Sequence, residues 1–154
     1  MDDRYATASM TDDEAMSIAI TQANQSASEG GIPIGAVLVG NHGIVAVGYN
    51  KRVQNGDPIA HGEMDCLRTA GRRNNYKNMT LYTTLTPCMM CAGTIVQFKI
   101  QRVVIGENRT FCGNEEFLRV HGVEVKVLDE PRCVALMEKF QKEHLALWKE
   151  DIGE

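Results

Sequence analysis

His61-Gly62-Glu63 and Pro87-Cys88-Met89-Met90-Cys91 are the two stretches in this chain where residue type and spacing together point to chemistry. One imidazole and two thiolates hold a tetrahedral Zn²⁺ through three ligands and leave its fourth position to water. That is the arrangement of a catalytic site, since structural sites are closed by four protein ligands. Zinc in such a site lowers the pKa of water toward ~7 and makes hydroxide available as a nucleophile. Glu63 stands two positions from His61, close enough to accept the water's proton and pass it on without binding metal itself. Each motif alone is weak: Cys-x-x-Cys also serves as a redox pair or as half a structural zinc site. The bland alternative for Glu63 is a solvated acid favoured by a helix dipole.

The five cysteines are an odd number for a disulfide framework, and only Cys88 and Cys91 stand at ligand spacing. Cys66, Cys112 and Cys133 are expected as buried or partly buried thiols. His42, His121 and His144 are expected at the surface or in caps, outside the metal shell.

These motifs need elements that bring them together. Thr11-Asp12-Asp13-Glu14 has the form of a capping box and opens a first helix that Gly30-Gly31 ends. Ile34 to Val39 and Ile44 to Tyr49 read as a hairpin, and Asn50 to Ala60 as a loop. From His61 onward helices alternate with strands: helix 61–70, strand 80–84, helix 88–98, strand 102–106, a short helix near 115–120 and strand 124–128. A last helix begins near Glu130-Pro131. The pattern predicts an α/β fold, a three-layer α/β/α sandwich on a mixed five-stranded sheet whose later strands are parallel. Both motifs open helices, where side chains project past the sheet edge into a ligand crevice. Pro87 has no amide hydrogen to leave unpaired at such a start, and helix N-termini favour thiolates.

At 154 residues, the chain has the length of one domain; the expected division is a flexible start over 1–10 and a single domain over 11–154. No run approaches the ~18 apolar residues of a membrane helix. Met1 to Met10 is polar and acidic, unlike a secretory signal, so the expected location is the cytoplasm. The formal charge of -4, with only Lys51-Arg52 and Arg72-Arg73 as basic clusters, argues against a nucleic-acid partner.

H-x-E paired with P-C-x-x-C is the signature of zinc nucleobase deaminases. The sequence resembles the small fungal-type cytosine deaminases, of the cytidine and deoxycytidylate deaminase superfamily, from about Glu14 to Glu154. The resemblance is carried by Glu29 to Gly35, Leu81 to Leu85, Val104 to Asn108 and the ending Trp148-Lys149-Glu150-Asp151-Ile152-Gly153-Glu154. It implies hydrolysis of cytosine to uracil and ammonia, one catalytic zinc on His61, Cys88 and Cys91, and Glu63 as proton shuttle. It also implies substrate contacts: Asn50 to the ring N1–H and O2, the Gly62 amide to O2, and the Thr86 carbonyl and Asp151 carboxylate to the exocyclic amine. Phe111 and Trp148 would wall and cover the base, with the C-terminal segment as a lid. A cytidine has ribose at N1, so an Asn50 that reads N1–H argues for the free base. A homodimer and a role in pyrimidine salvage follow from the same resemblance.

Read without the resemblance, Asn50 also suits a turn, Trp148 a core anchor and Asp151 a solvated tail. Two positions depart from the pattern. Met89 replaces an acidic residue and is expected to alter hydrogen bonding near the thiolates. Val53 replaces a bulky aromatic and is expected to enlarge the pocket beside Asn50. The competing functions are deamination of guanine, isocytosine, creatinine or cytidine, a tRNA adenosine deaminase, and a non-catalytic zinc module.

Overall fold

A computed structural model of the chain describes residues 10–154. The expected flexible start therefore lies outside the described residues, except for Met10, which packs against the core. Thr11 caps α1 (Asp12–Ser28), its hydroxyl accepting from the Glu14 amide at 3.1 Å, as the capping pattern requires. β1 (Gly35–Gly40) and β2 (Gly43–Tyr49) form the antiparallel hairpin, with a bulge at Leu38/Val39. β1 also runs antiparallel to β3 (Thr80–Leu85), and β3, β4 (Arg102–Glu107) and β5 (Glu124–Val127) are parallel. The sheet order is β2-β1-β3-β4-β5.

Strand periodicity sorts the core into two layers. Ala36, Leu38, Leu81, Val103 and Ile105 face α3 (Gly62–Ala70), α4 (Met89–Gln97) and α5 (Glu115–Val120), where they meet Cys66, Ala92, Ile95 and Leu118. Val37, Tyr82 and Val104 face the other way, onto Ala15, Met16 and Ala19 of α1 and Cys133 of α6 (Pro131–Glu143). β3 and β4 are buried on both faces; Val103 to Ile105 of β4 form an apolar run, while β3 fills its buried positions with threonines beside Leu81, Tyr82 and Leu85. A third cluster of Ile32, Ile34, Leu85, Met137, Phe140 and Trp148 fills the end of the sheet where β3 finishes. This is the α/β/α sandwich on a mixed five-stranded sheet that the sequence predicts.

Two local features differ from the sequence reading. The loop after β2 contains a short helix, α2 (Arg52–Asn55). The last helix is two: α6 stops at His144, whose backbone (φ -137°, ψ 49°) leaves the helical region, and α7 (Leu145–Asp151) continues in a new direction. The break lets Trp148 join Phe140 and Met137 in the end cluster. Among the described residues no helix is long and apolar enough to cross a membrane.

Gly48 sets how closely β2 meets α3. A Cβ there would overlap the backbone nitrogen of Cys66, so only glycine lets the strand lie directly against that helix. Asp65 of α3 ties the same junction, accepting from the Tyr49 amide at 3.0 Å and from Lys51 Nζ at 3.2 Å. The end of β2, with Asn50, is thereby held beside the start of α3.

Candidate active site

His61 and Cys88 are both helix N-caps, of α3 and α4, and neither uses its side chain to cap. Positions that usually carry Ser, Thr, Asp or Asn are given to an imidazole and a thiol that point elsewhere. Cys91 lies in the first turn of α4. The donor atoms of His61, Cys88 and Cys91 all fall within 4.8 Å of one another, and Cys88 Sγ is 3.5 Å from His61 Nδ1. Tetrahedral zinc with ordinary bond lengths spaces its ligand atoms about 3.5–4 Å apart. The three residues fit the ion.

Electrostatics favour the same use. Bonds from Cys91 and His61 bring the Cys88 thiol down to about 4, against its burial. The bond to Cys88 and burial keep Cys91 protonated well above the usual thiol range. Burial opposes a charged His61, but its bond to Cys88 and the charges of Asp151 and Glu63 push it up to about 9. One ligand is thus favoured as thiolate before metal arrives.

Nε2 of His61 is 3.2 Å from Asp151 Oδ1. Nδ1 faces the sulfur atoms while Nε2 faces a carboxylate, which fixes the ring orientation in the manner of a carboxylate–histidine–metal relay. Burial raises the Asp151 carboxyl despite the pull of His61 and Asn50.

Glu63 is buried, and burial together with the nearby Cys88 sulfur raises its pKa. Thr83 Oγ1 stands 3.1 Å from Glu63 Oε1 and 3.0 Å from the Leu85 carbonyl. One hydroxyl proton serves two acceptors, so Thr83 donates to an ionised Glu63 and accepts from a protonated one. The carboxyl has a partner in either state.

Asn50 is fully buried. Its backbone is pinned by Ile34 O at 2.9 Å and by Ser26 Oγ at 2.6 Å. Its Oδ1 accepts from the Arg52 amide at 3.0 Å, and its Nδ2 points at Asp151 Oδ1, 3.4 Å away. Glu115 accepts from Thr86 Oγ1 at 2.9 Å and Asn108 Nδ2 at 3.1 Å; against its burial, bonds from its own amide and the Gly113 amide, with these two side chains after them, lower its pKa. Buried Glu107 accepts from the Arg109 and Thr110 amides at 2.7 and 3.0 Å and so shapes the loop leading to Phe111. The Phe111 ring meets Trp148 edge-on, centroids 5.7 Å apart.

Of the residues singled out from sequence, His61, Glu63, Thr86, Cys88, Phe111, Trp148 and Asp151 line one cavity, with Ile34, Leu85 and Ile152. Asn50, Gly62 and Cys91 do not line it, but Asn50 Nδ2 lies 3.4 Å from Asp151 of the wall, Gly62 directly follows His61, and buried Cys91 groups with His61 and Cys88. The cavity measures about 10 Å³, close to the space of one water, so α7 is shut over the site. Thr83, Glu107, Glu115 and Arg52 were not singled out. Thr83 gave no signal of its own, since Thr80 and Thr84 of the same strand carry the same hydroxyl.

Three expectations are corrected. Val53 is 38% exposed on α2 and lines no part of the cavity, so its small size does not enlarge the pocket. Met89 is 57% exposed, so most of its surface meets solvent. Cys112 is exposed, whereas Cys66 and Cys133 are buried as expected. His42, His121 and His144 are exposed and stay outside the metal group.

A sheet of this order with a histidine and a Cys-x-x-Cys at two paired helix starts defines a zinc-dependent deaminase. Residues 9–107 match the cytidine and deoxycytidylate deaminase zinc-binding region, and the chain belongs to that family. It is 47% identical over 146 residues to a cytosine deaminase of Candida albicans, covering 93% of this chain and 97% of that one. A tRNA-specific adenosine deaminase of Buchnera aphidicola is 41% identical over 107 residues, covering 68% of this chain and 71% of that one. Among solved structures, a guanine deaminase from Nitrosomonas europaea superposes with a TM-score of 0.77 at 17% identity, covering 89% of this chain and 88% of that one. At that identity the likeness concerns the fold alone.

Proposed function

We propose that the chain hydrolyses the exocyclic amine of free cytosine, giving uracil and ammonia. The observation that carries this reading is the placement of Asp151, 3.4 Å from Asn50 Nδ2 and 3.2 Å from His61 Nε2. A side chain able to read a ring edge and a carboxylate able to accept from an amine stand together beside the metal ligands. The Candida albicans cytosine deaminase, alike over nearly the whole chain, supports the same substrate.

His61, Cys88 and Cys91 would hold the zinc, which when bound supplies a Lewis acid that makes water nucleophilic near neutrality. Asn50 Oδ1 accepts the N1–H of the base and its Nδ2 donates to O2, with the Gly62 amide, in the first turn of α3, as a second donor. The Thr86 carbonyl and Asp151 accept from the amine, while Phe111 and Trp148 enclose the ring. Glu63 takes one proton from the attacking water and delivers it to N3. It then moves the second proton to the departing amine, which leaves as ammonia as the C4 carbonyl forms. Buried polar partners left unpaired cost ~1–3 kcal/mol each, so a ribose at N1 would forfeit the Asn50 contact and exclude cytidine.

The working unit on this reading is one domain over 11–154 with a C-terminal lid, in the cytoplasm, serving pyrimidine salvage without nucleic acid. The formal negative charge and the Asp151 carboxylate in the cavity wall speak for a small uncharged substrate. A homodimer is supported by α4: Ile95 is buried inside the subunit, while Met89 and Phe98 at its two ends are exposed.

Ammonia release by the zinc-loaded protein with cytosine, beside cytidine, guanine, isocytosine and creatinine, tests the reading. Release from cytosine with none from cytidine is expected. Inert cytosine with another amine reacting would overturn the substrate assignment.

A further inference from the structure

The closed cavity poses a question that the catalytic residues do not answer. About 10 Å³ of space cannot take a pyrimidine, and Trp148, Asp151 and Ile152 form its roof. A base must therefore lift the tip of α7 to enter, and its product must lift it to leave. Asp151 and Trp148 hold the tip down, but both also face the substrate. One further side chain grips it from outside the cavity.

Arg52 reaches across from α2 to two consecutive residues of α7. Its Nη1 pairs with Glu150 Oε1, and its Nε lies 4.0 Å from Asp151 Oδ1. The Arg52 side chain is only 16% exposed, so this pair is shielded more than an ordinary surface pair, although Glu150 is open to water. The Arg52 amide also donates to Asn50 Oδ1 at 3.0 Å. One residue thus fixes the Asn50 amide through its backbone and the lid through its guanidinium. A planar fork facing two neighbouring carboxylates is a geometry that lysine cannot reproduce.

We propose that Arg52 is a positioning residue that clasps α7 over the site, so that releasing the Arg52–Glu150 pair is the step that admits base and frees product. Arg52 does not line the cavity, so it acts through the lid and not on the ring. The clasp rests on the reading that α7 closes the base pocket.

Trp148 is the single tryptophan of the chain, and it sits buried in the lid. Acrylamide quenching of its fluorescence in the zinc-loaded, substrate-free protein therefore reports lid opening directly. Arg52→Gln and Glu150→Gln are each expected to raise the quenching constant about two- to five-fold at unchanged melting temperature, with Arg52→Lys between them and wild type. The double variant should quench no more than either single one, as two members of one pair require. KM for cytosine should rise by a similar factor while kcat does not fall. Should Arg52→Gln be destabilised, Glu150→Gln carries the test alone, because that side chain is exposed. Wild-type quenching in Glu150→Gln would overturn the clasp. A protein inert toward cytosine whose Trp148 nonetheless loosens in both variants would sink the substrate reading and leave the clasp standing.

Discussion

The carboxylate of Asp151, close to the end of the chain, lies 3.2 Å from Nε2 of His61, whose other ring nitrogen faces the Cys88 sulfur. The lid and the metal-binding group therefore share one imidazole. Removing a carboxylate that orients a metal-binding histidine typically weakens metal binding about 10–100-fold. Asp151→Asn should accordingly release zinc to a competing chelator more readily than wild type, besides losing turnover. Zinc retention equal to wild type, measured by colorimetric chelator competition, would confine Asp151 to the substrate.

Glu63 has a partner in both protonation states because Thr83 accepts from one and donates to the other. Glu63→Gln keeps the size of the side chain and its bond to Thr83 but cannot carry a proton. Zinc content and melting temperature should stay near wild type while turnover falls about 10³-fold or more. Thr83→Val should cost about ten-fold, the consequence of one lost partner for a buried carboxyl. Comparable activity in Glu63→Gln would return the site to the reading of a non-catalytic zinc module.

Thiol reactivity should divide the cysteines by environment. Burial pushes Cys66 and Cys133 up to about 12, leaving them inert, and Cys112 is exposed. With zinc bound, a maleimide followed by mass spectrometry should label Cys112 alone. Chelation should add Cys88 first, since its thiolate is favoured down to about pH 4. Cys91 should lag because its proton is held by Cys88 and by burial. Equal labelling of all thiols without metal would show that the site does not persist in the apo chain.

The metal-binding residues were legible because ligand spacing is local: His61 and Cys88 each announce a helix start, and two short motifs suffice. The sheet was legible for a related reason, since β4 carries the apolar run Val103 to Ile105 and β3 is rich in β-branched and aromatic residues that suit a strand buried on both faces. What the sequence concealed depends on contacts between distant segments. Nothing in the run through Glu130 to Asp151 marks a break at His144, because the break is set by Trp148 packing with Phe140 and Met137. The partnership of Arg52 with Glu150 is equally non-local. Val53 shows the opposite failure: position in a motif suggested a pocket wall, and the backbone of α2 turns the side chain outward.

The start of α1 supplies a prediction about stability and pH. Asp12 accepts two bonds from Arg102, at 2.9 Å each, and further bonds from Lys126 Nζ at 2.9 Å and Tyr82 Oη at 2.8 Å. These tie α1 to β3, β4 and β5 at once. The Arg102 bonds hold the Asp12 carboxyl far below the usual carboxylate range, despite its partial burial. Its unfolded value is ~3.9, so the folded value is the depressed one. The stabilisation is then complete above ~pH 4 and drains away as pH falls toward the folded value. Asp12→Asn should destabilise the protein at pH 7 by about 1–2 kcal/mol, allowing for solvent screening of the exposed Lys126 arm. Urea unfolding of both proteins at pH 7, 5 and 3 checks the sign: the gap should be equal at the first two and smaller at the third. A gap that persists undiminished at pH 3 would mean that the contribution comes from hydrogen bonding and packing that the amide keeps, and not from the charge.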